Sequence, residues 1–552
     1  MEADERTRLF ASPATDQALY PERWDGKGAE PLRSGRRFGL WQTGALFGIM
    51  LAYANTSLVW ATHETVASRF NSLKNSSWMM TSFTIGYCVT LPLYGRLSDQ
   101  YGRLSPLVAA YGIFCIGCAF CGVGRTYWQV ILGRIITGCG ASGIISLASI
   151  VITGNPHLLV LVLLQRCCRS SPGSRLDIAA PSDVAVLRSY VNVASTIGLA
   201  SGGPLGGLLG GIIGWRWSFL GQVPFAAVCC LLTARGLRKF LPLLDLEDEQ
   251  HVTDESKPDF PAFDYPGAIT LAIGLTSFLT VIDLQNQLGW AHPLILVTTI
   301  VGTLSLFAFL LFETYPGDRQ LLIPLRMLRT GVGAFCVGQL ISQVAPYFAN
   351  TQGISDAEAG GHIAPSSFGN AIGNLIAGQI IKKLGSYKKL SIVSLFLCMA
   401  TSLLILLQWS HPIGTWAGLE VFPFGLFAGV VLSTQFIGLY NRASKQEMAT
   451  AISMYYMSQQ IGIALGISLT SSLLNQQFQS MLQDVLADLP GHSEIIRRIL
   501  ADSSVVETLP AEVQALVSQS FLKSFWVVPA FALAAQMFAI VPMVFTTEKM
   551  SE

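Results

Sequence analysis

From residue 38 onward the chain is a succession of apolar stretches, each about 20 residues long, parted by short turns rich in glycine, proline and charge. That length is what an α-helix needs to cross the hydrocarbon of a bilayer. Inside hydrocarbon every backbone N–H and C=O must be satisfied within the segment, so the helix is the form such stretches can take. Composition decides whether the solvent is lipid: 51% of the 552 residues are hydrophobic and only 12% are charged, against about 25% charged in a soluble domain. Most of this surface cannot face water. The expected fold is an all-α polytopic membrane protein with 14 transmembrane helices, over 38–62, 76–97, 106–124, 127–152, 190–213, 217–235, 265–284, 292–312, 331–350, 357–381, 390–408, 414–438, 448–475 and 522–546.

An even number of spans places both termini on one side, and the distribution of Lys and Arg says which. With the N-terminus inside, inward segments and the span ends beside them hold 27 basic residues. The outward side holds 7, namely Arg69, Lys74, Arg125, Arg216, Arg497, Arg498 and Lys523, and Arg134 stands alone inside a span. This is the positive-inside asymmetry, so both termini are expected in the cytosol. Residues 1–37 are polar, without the apolar core of a signal peptide, and read as a disordered cytosolic tail; 548–552 form a second tail.

A net charge of +1 offers no field for nucleic acid. The eleven cysteines lie in apolar runs or on the inward side, which does not suit a disulfide framework. Cys115, Cys118 and Cys121 recur in an apolar helix without histidine or carboxylate nearby, so no metal and no cofactor is expected. No nucleophile motif stands out, and there is no Gly-rich loop ending in Lys-Ser/Thr to hold ATP. The chain is not expected to be an enzyme.

The most informative turn is Gly95-Arg96-Leu97-Ser98-Asp99-Gln100-Tyr101-Gly102-Arg103-Leu104. Gly95 and Gly102 let two helix ends approach, and Asp99 lies four residues before Arg103, in reach of an ion pair. The decapeptide resembles the loop between helices two and three of major facilitator superfamily transporters, Gly-x-Leu-Ser/Ala-Asp-Arg/Lys-x-Gly-Arg. Gln100 and Leu104 stand where that pattern prefers basic residues. Gly378 and Gly385 follow Gly95 and Gly102 by 283 residues, again after a span and on the inward side, which suggests two pseudo-symmetric halves. The resemblance implies an N-terminal six-helix bundle over 38–235, a cytosolic linker over 236–264, two linking helices and a loop over 265–330, and a C-terminal six-helix bundle over 331–547. Within the last, 476–520 is the longest outward loop, with apolar residues at helical spacing, and is expected to form short helices as a lid or an inert cap.

A buried arginine costs at least about 2.5–3.5 kcal/mol at a helix centre, so Arg134 should face a cavity or a partner. A backbone carbonyl or a polar group of the first helix would serve as a structural partner. Gly133-Arg134-Ile135-Ile136-Thr137-Gly138 also resembles the family's fourth-helix motif, whose arginine is implicated in proton coupling. Gly198, Gly202, Gly203, Pro204 and Gly207 combine small residues that allow close helix packing with a mid-span proline. They resemble the fifth-helix motif of antiporters. Trp215-Arg216-Trp217 reads as an interfacial aromatic anchor.

Ala54-Asn55-Thr56-Ser57 resembles the first helix of fourteen-helix drug:proton antiporters and of fungal vacuolar basic amino acid transporters, where an aspartate usually occupies the place of Asn55. Asparagine cannot carry a proton, so Glu64, Asp283 or Glu420 takes over coupling, or coupling is weakened. Candidate pathway groups in the C-terminal half are Asn350, His362, Asn370, Asn374, Gln435, Tyr455, Gln459 and Gln460, each equally suited to a helix-to-helix hydrogen bond; Tyr455 and Gln459 share a helix face and are the preferred pair.

Two stretches depart from the family pattern. Residues 154–182 are an insert, apolar in part yet too short to span, and read as a translated intron. The stretch Gln339 to Tyr347 is short by several residues. The resemblance implies a secondary transporter that exports a small organic solute or drug by alternating access in exchange for protons, as a monomer in the plasma or vacuolar membrane. Vacuolar uptake of basic amino acids is the alternative, and an inactive paralogue a second one.

Overall fold

The computed structural model describes residues 35–72, 75–153, 181–248, 262–315, 319–323, 332–344, 356–384, 386–408, 421–444, 447–487, 493, 495–496, 499 and 510–546. The first half contains α1 (Gly35–Arg69), α2 (Trp78–Tyr101), α3 (Leu104–Val123), α4 (Tyr127–Thr153), α5 (Pro181–Ile212), α6 (Trp215–Leu220) and α7 (Gln222–Asp248). A pair follows, α8 (Tyr265–Leu288) and α9 (Pro293–Thr314), flanked by a two-residue parallel pairing of β1 (Ala262–Phe263) with β2 (Arg319–Gln320). The second half contains α10 (Val332–Val344), α11 (Asp356–Leu384), α12 (Lys388–Gln408), α13 (Val421–Tyr440), α14 (Met448–Val485), α15 (Ala511–Ser524) and α16 (Val527–Phe545).

Local chemistry fixes several boundaries. Asp264 caps α8 by accepting from the Gly267 N–H at 3.1 Å, with Pro266 in the first turn, where its missing N–H costs nothing. His292 and Pro293 open α9 in the same manner. Gly102 and Gly214 close their turns at φ of 73° and 91°, a region that favours glycine.

Among the described residues eight helical segments are long and apolar enough to cross a membrane: 104–123, 127–152, 215–238, 265–285, 293–314, 388–408, 421–440 and 527–545. The second of these runs past its neighbours in the core, whereas 293–314 turns mostly outward. Helices α1, α2, α5, α11 and α14 are long too, but carry the Ser, Asn, Gln, Gly and charged residues that lower their hydropathy. They are also the helices that meet at the centre: α1 packs on α5, α5 on α11, and α2 on α14. Polarity there is buried between helices and is not offered to lipid.

Several expected boundaries change: α1 runs on from 62 to Arg69, and α7 runs to Asp248, so the first half of the stretch expected as linker is helix. The fifth span begins at Pro181, nine residues before the apolar run, because Val184, Leu187 and Val191 pack as the buried face of a longer helix. The sixth is divided at Gly221 into α6 and α7. The thirteenth does not stop at 475: α14 runs unbroken through 38 residues to Val485, because Phe478 and Leu482 continue its apolar stripe against Ile496, Ile499 and Val517. The segment expected to begin as loop therefore begins as helix, and α15 lies against it. Residues 154–180 of the insert, the stretch 345–355 and Glu420 lie outside the described residues, and the last two residues expected in the insert, Pro181 and Ser182, instead open α5.

The two halves meet through small residues at matched places. At Gly95 of α2 a Cβ would come 2.8 Å from Ser453 Oγ and 3.3 Å from the Ala449 carbonyl, both on α14. At Gly378 of α11 a Cβ would come 3.0 Å from the Ala185 carbonyl of α5. Each of the two repeat glycines thus seats its helix on the opposite half, near the end of the molecule that carries Gly102. Helix α8 bridges the halves elsewhere: Asp283 accepts from Ser77 and Thr81 of α2 at 3.3 and 3.0 Å, and Gln285 donates to Ser468 of α14 at 3.3 Å.

Candidate functional site

Arg134 is 1% exposed and Asn55 is fully buried. The guanidinium donates through Nη1 to Asn55 Oδ1 at 2.5 Å and through Nε to the Met79 carbonyl at 3.2 Å. Its carbon sits 4.5 Å from the centroid of the Phe83 ring. Asn55 Nδ2 donates in turn to Gln222 Oε1 at 2.9 Å, and Gln222 Nε2 to the Ser218 carbonyl at 2.8 Å. Five helices, α1, α2, α4, α6 and α7, are tied by this chain. Both expected structural partners of Arg134 are present, a first-helix polar group and a backbone carbonyl. Among the described residues no carboxylate pairs with it, so the charge is held by dipoles and a ring face alone.

A second buried guanidinium lies where hydropathy marks only an inward loop. Arg188 of α5 is 1% exposed, two turns inside the helix whose start the apolar run conceals. Its Nη1 donates to the Tyr456 hydroxyl, which shares a 2.7 Å hydrogen bond with Ser149 of α4. Its carbon lies 3.8 Å from the centroid of Phe436, 5.2 Å from that of Tyr456 and 5.9 Å from that of Tyr455. Next along α5, Ser189 donates to the Asn374 carbonyl at 2.9 Å, Asn192 to Asn374 Oδ1 at 2.7 Å and to Ser433 Oγ at 3.2 Å, and Thr196 to Asn370 Oδ1 at 3.0 Å. A polar seam thus runs between the halves along α5 from the Gly102 end. Asn370 and Asn374 are among the candidate pathway groups of the sequence, whereas Arg188 and Asn192 give no sequence signal beyond polar type, since the register that turns them toward α11 and α14 appears only once the helices cross.

The glycines of α5 hold it against α1. A Cβ at Gly202 would meet the Ala54 backbone, 2.8 Å from its Cα, one at Gly198 would meet Met50 and Tyr53, and one at Gly206 would come 2.7 Å from Leu58 Cγ. Gly207 has nothing within 4 Å, so the packing member is its neighbour Gly206. The Gly203 N–H donates to Ser57 Oγ at 3.0 Å, and Pro204 is exposed within the helix.

The remaining candidates separate. Tyr455 is fully buried and donates to Gln339 Oε1 at 3.0 Å and the Leu432 carbonyl at 3.1 Å, binding helix to helix; Gln435 is fully buried and Gln459 half-buried. The Asp283 carboxylate is half-buried between α2 and α8. Arg103 lies within electrostatic reach of Tyr440 in the second half. The side chains of Glu64 and Asp99, and the whole of Asn350 and Glu420, lie outside the described residues. Of the aromatic anchor, Trp217 is 58% exposed but Trp215 is buried at 6%, under the Arg216 guanidinium, which reaches the Gly124 carbonyl. Trp215 is a packing residue because Phe70 and Phe219 stand edge-on against it.

A long-helix membrane protein in two halves, its polar residues turned inward onto the seam, is built as a solute transporter. The chain belongs to the Major Facilitator Superfamily, whose family model matches residues 45–155 and 173–467. The break between these ranges falls inside the insert. The chain is 27% identical over 87% of its length to the vacuolar membrane amino acid uptake transporter fnx2 of Schizosaccharomyces pombe, of which 79% is covered. It is 26% identical over 88% of its length to the multidrug resistance protein fnx1 of the same yeast, 88% covered. Among solved structures, the proton:xylose symporter XylE matches over 92% of this chain and 95% of that one, with a TM-score of 0.53 at 14% identity, a likeness of fold alone.

Proposed function

We propose that this transporter moves a small organic solute out of the cytosol, across the plasma membrane or into the vacuole, by alternating access and in exchange for protons. It does so as a monomer with 14 spans and both termini cytosolic, the Gly102 end being the cytosolic one, as the excess of basic residues on that side supports. The N-terminal bundle over 38–235 and the C-terminal bundle over 331–547 are the rocking units, and α8 and α9 link them.

The observation that carries this reading is the seam along α5. Arg188, Ser189, Asn192 and Thr196 each bond a residue of the other half, and exchanging such polar contacts for water is how one gate opens while the other shuts. The turn with Gly95, Asp99, Gly102 and Arg103 then acts as the latch at that end. Uptake of basic amino acids into the vacuole is the second reading, supported by the relative that carries amino acids. The test is accumulation of labelled L-lysine, L-arginine and a cationic dye in proteoliposomes under an imposed pH gradient. Accumulation of any one supports the reading; equilibration with no gradient dependence for all three sinks proton exchange.

Asp283 is the one coupling candidate with a described carboxylate environment, accepting from two hydroxyls of α2. Hydroxyl donors hold an ionised carboxylate yet release it on protonation at little cost. Asp283→Asn is expected to abolish gradient-driven accumulation and to leave solute counterflow intact. If both persist, Asp283 is only a tether between α2 and α8.

A further inference from the structure

Arg188 carries more hydrogen-bonding capacity than the protein uses. A guanidinium offers five N–H donors in a plane. One nitrogen, Nη1, is engaged by Tyr456. Phe436 covers a face of the plane at 3.8 Å. The Nε, on the other edge, is buried without a hydrogen-bond partner. Among the described residues no carboxylate is within an ion pair's reach of the group. A guanidinium buried this deeply ordinarily has an anion in its fork, because an unpaired charge in a low-dielectric interior is costly. Arg134, by contrast, has its Nε and Nη1 both satisfied inside one half.

Position adds to this. Arg188 sits between the halves, where α4, α5, α13 and α14 converge, with Tyr53 of α1 within electrostatic reach of it and of Tyr456. Such a place is where a carried solute must pass. The Nε edge is the part of the group left without a hydrogen-bond partner, and an edge with Nε and a second N–H side by side matches a carboxylate, two oxygens accepting two parallel bonds.

We propose that Arg188 is the receptor for a carboxylate on the transported solute, which is therefore an amino-acid-like acid and not a purely cationic drug. This rests on the transporter reading above and narrows it. The buried Arg188 guanidinium makes this part of the seam electropositive, which disfavours a solute that carries only positive charge. The bond from Nη1 to Tyr456 joins the halves while the Nε edge takes the solute, so substrate and gate share one side chain.

The test uses the purified full-length transporter and three pairs that differ only by the carboxylate: L-lysine with cadaverine, L-histidine with histamine, L-tyrosine with tyramine. Binding is read by isothermal calorimetry. The expected result is that at least one acid binds about tenfold or more tightly than its amine, that Arg188→Met abolishes this preference, and that Arg188→Lys keeps part of it. Tyr456→Phe removes the contact across the seam but not the fork, so it should slow transport and leave the preference in place. Size-exclusion profiles identify any misfolded variant, in which case the Lys variant carries the comparison. No acid surpassing its amine in the wild type, whether both bind or neither does, overturns the proposal, as does a preference that survives in Arg188→Met. If the amines or the cationic dye are carried into proteoliposomes all the same, only the assignment of Arg188 fails; if neither these solutes nor the dye is carried, the transporter reading fails with it.

Discussion

Asn55→Asp is expected to raise the thermal midpoint of the purified protein and to make its transport more steeply dependent on pH. Asn55 Oδ1 already accepts from Arg134 at 2.5 Å, so an aspartate would place a full negative charge on a guanidinium that has no described carboxylate partner. Breaking a buried ion pair costs about 3–5 kcal/mol. Completing one here should gain less, about 1–3 kcal/mol, because the neutral hydrogen bond exists and because Gln222 must adjust. Asn55 Nδ2 now donates to Gln222 Oε1; an aspartate would set two acceptors face to face, and Gln222 could turn its amide only by giving up the Ser218 carbonyl. A carboxylate also adds a site that a proton can occupy, which asparagine lacks. Differential scanning fluorimetry measures the first effect and the pH profile of vesicle uptake the second. An unchanged midpoint would mean that Arg134 is already neutralised by a group beyond the described residues.

The second large effect is expected from Gly202→Ala set against Gly207→Ala. The added methyl at 202 meets the backbone of Ala54, and backbone cannot swing aside, so α1 and α5 must separate. Overpacking of this kind costs about 1–3 kcal/mol, and the displaced α1 carries Asn55 away from Arg134. Transport should fall at least about tenfold, the factor corresponding to 1.4 kcal/mol. Shortening Ala54 to glycine should not restore it, because the clash is with main chain. At Gly207 nothing lies within 4 Å, and alanine is the better helix former, so that variant should transport as the parent does. Equal loss in both variants would show that the segment needs flexibility and not close packing.

Much of this was legible beforehand. The apolar periodicity and the glycine turn point to the family, which the family model matches over both halves. The partners of Arg134 follow from what an intramembrane charge requires. Arg188 was hidden for a definite reason: hydropathy locates the greasy part of a helix, and α5 continues for two turns beyond it toward the Gly102 end, held by Val184 and Leu187. Gly206 and Gly207 are alike in the sequence, because a doublet of glycines does not reveal which of the two faces α1. The length of α14 is not legible in the sequence because its last turns are polar on one side, and their apolar stripe is matched by residues more than ten positions downstream.

That helix has a mechanical consequence. At about 1.5 Å per residue, its 38 residues extend far past the hydrocarbon of a bilayer, which is about 30 Å thick. Anchored at one end against Gly95, it is a lever with a long arm. Under the rocking motion proposed above, a small rotation of the second half becomes a wide sweep of α15 at the far tip, as a pointer magnifies the turn of its spindle. A pair of fluorophores, one on α15 and one on the exposed face of α6, would therefore register each transport cycle from outside the membrane, in a molecule whose gates are otherwise hidden from view.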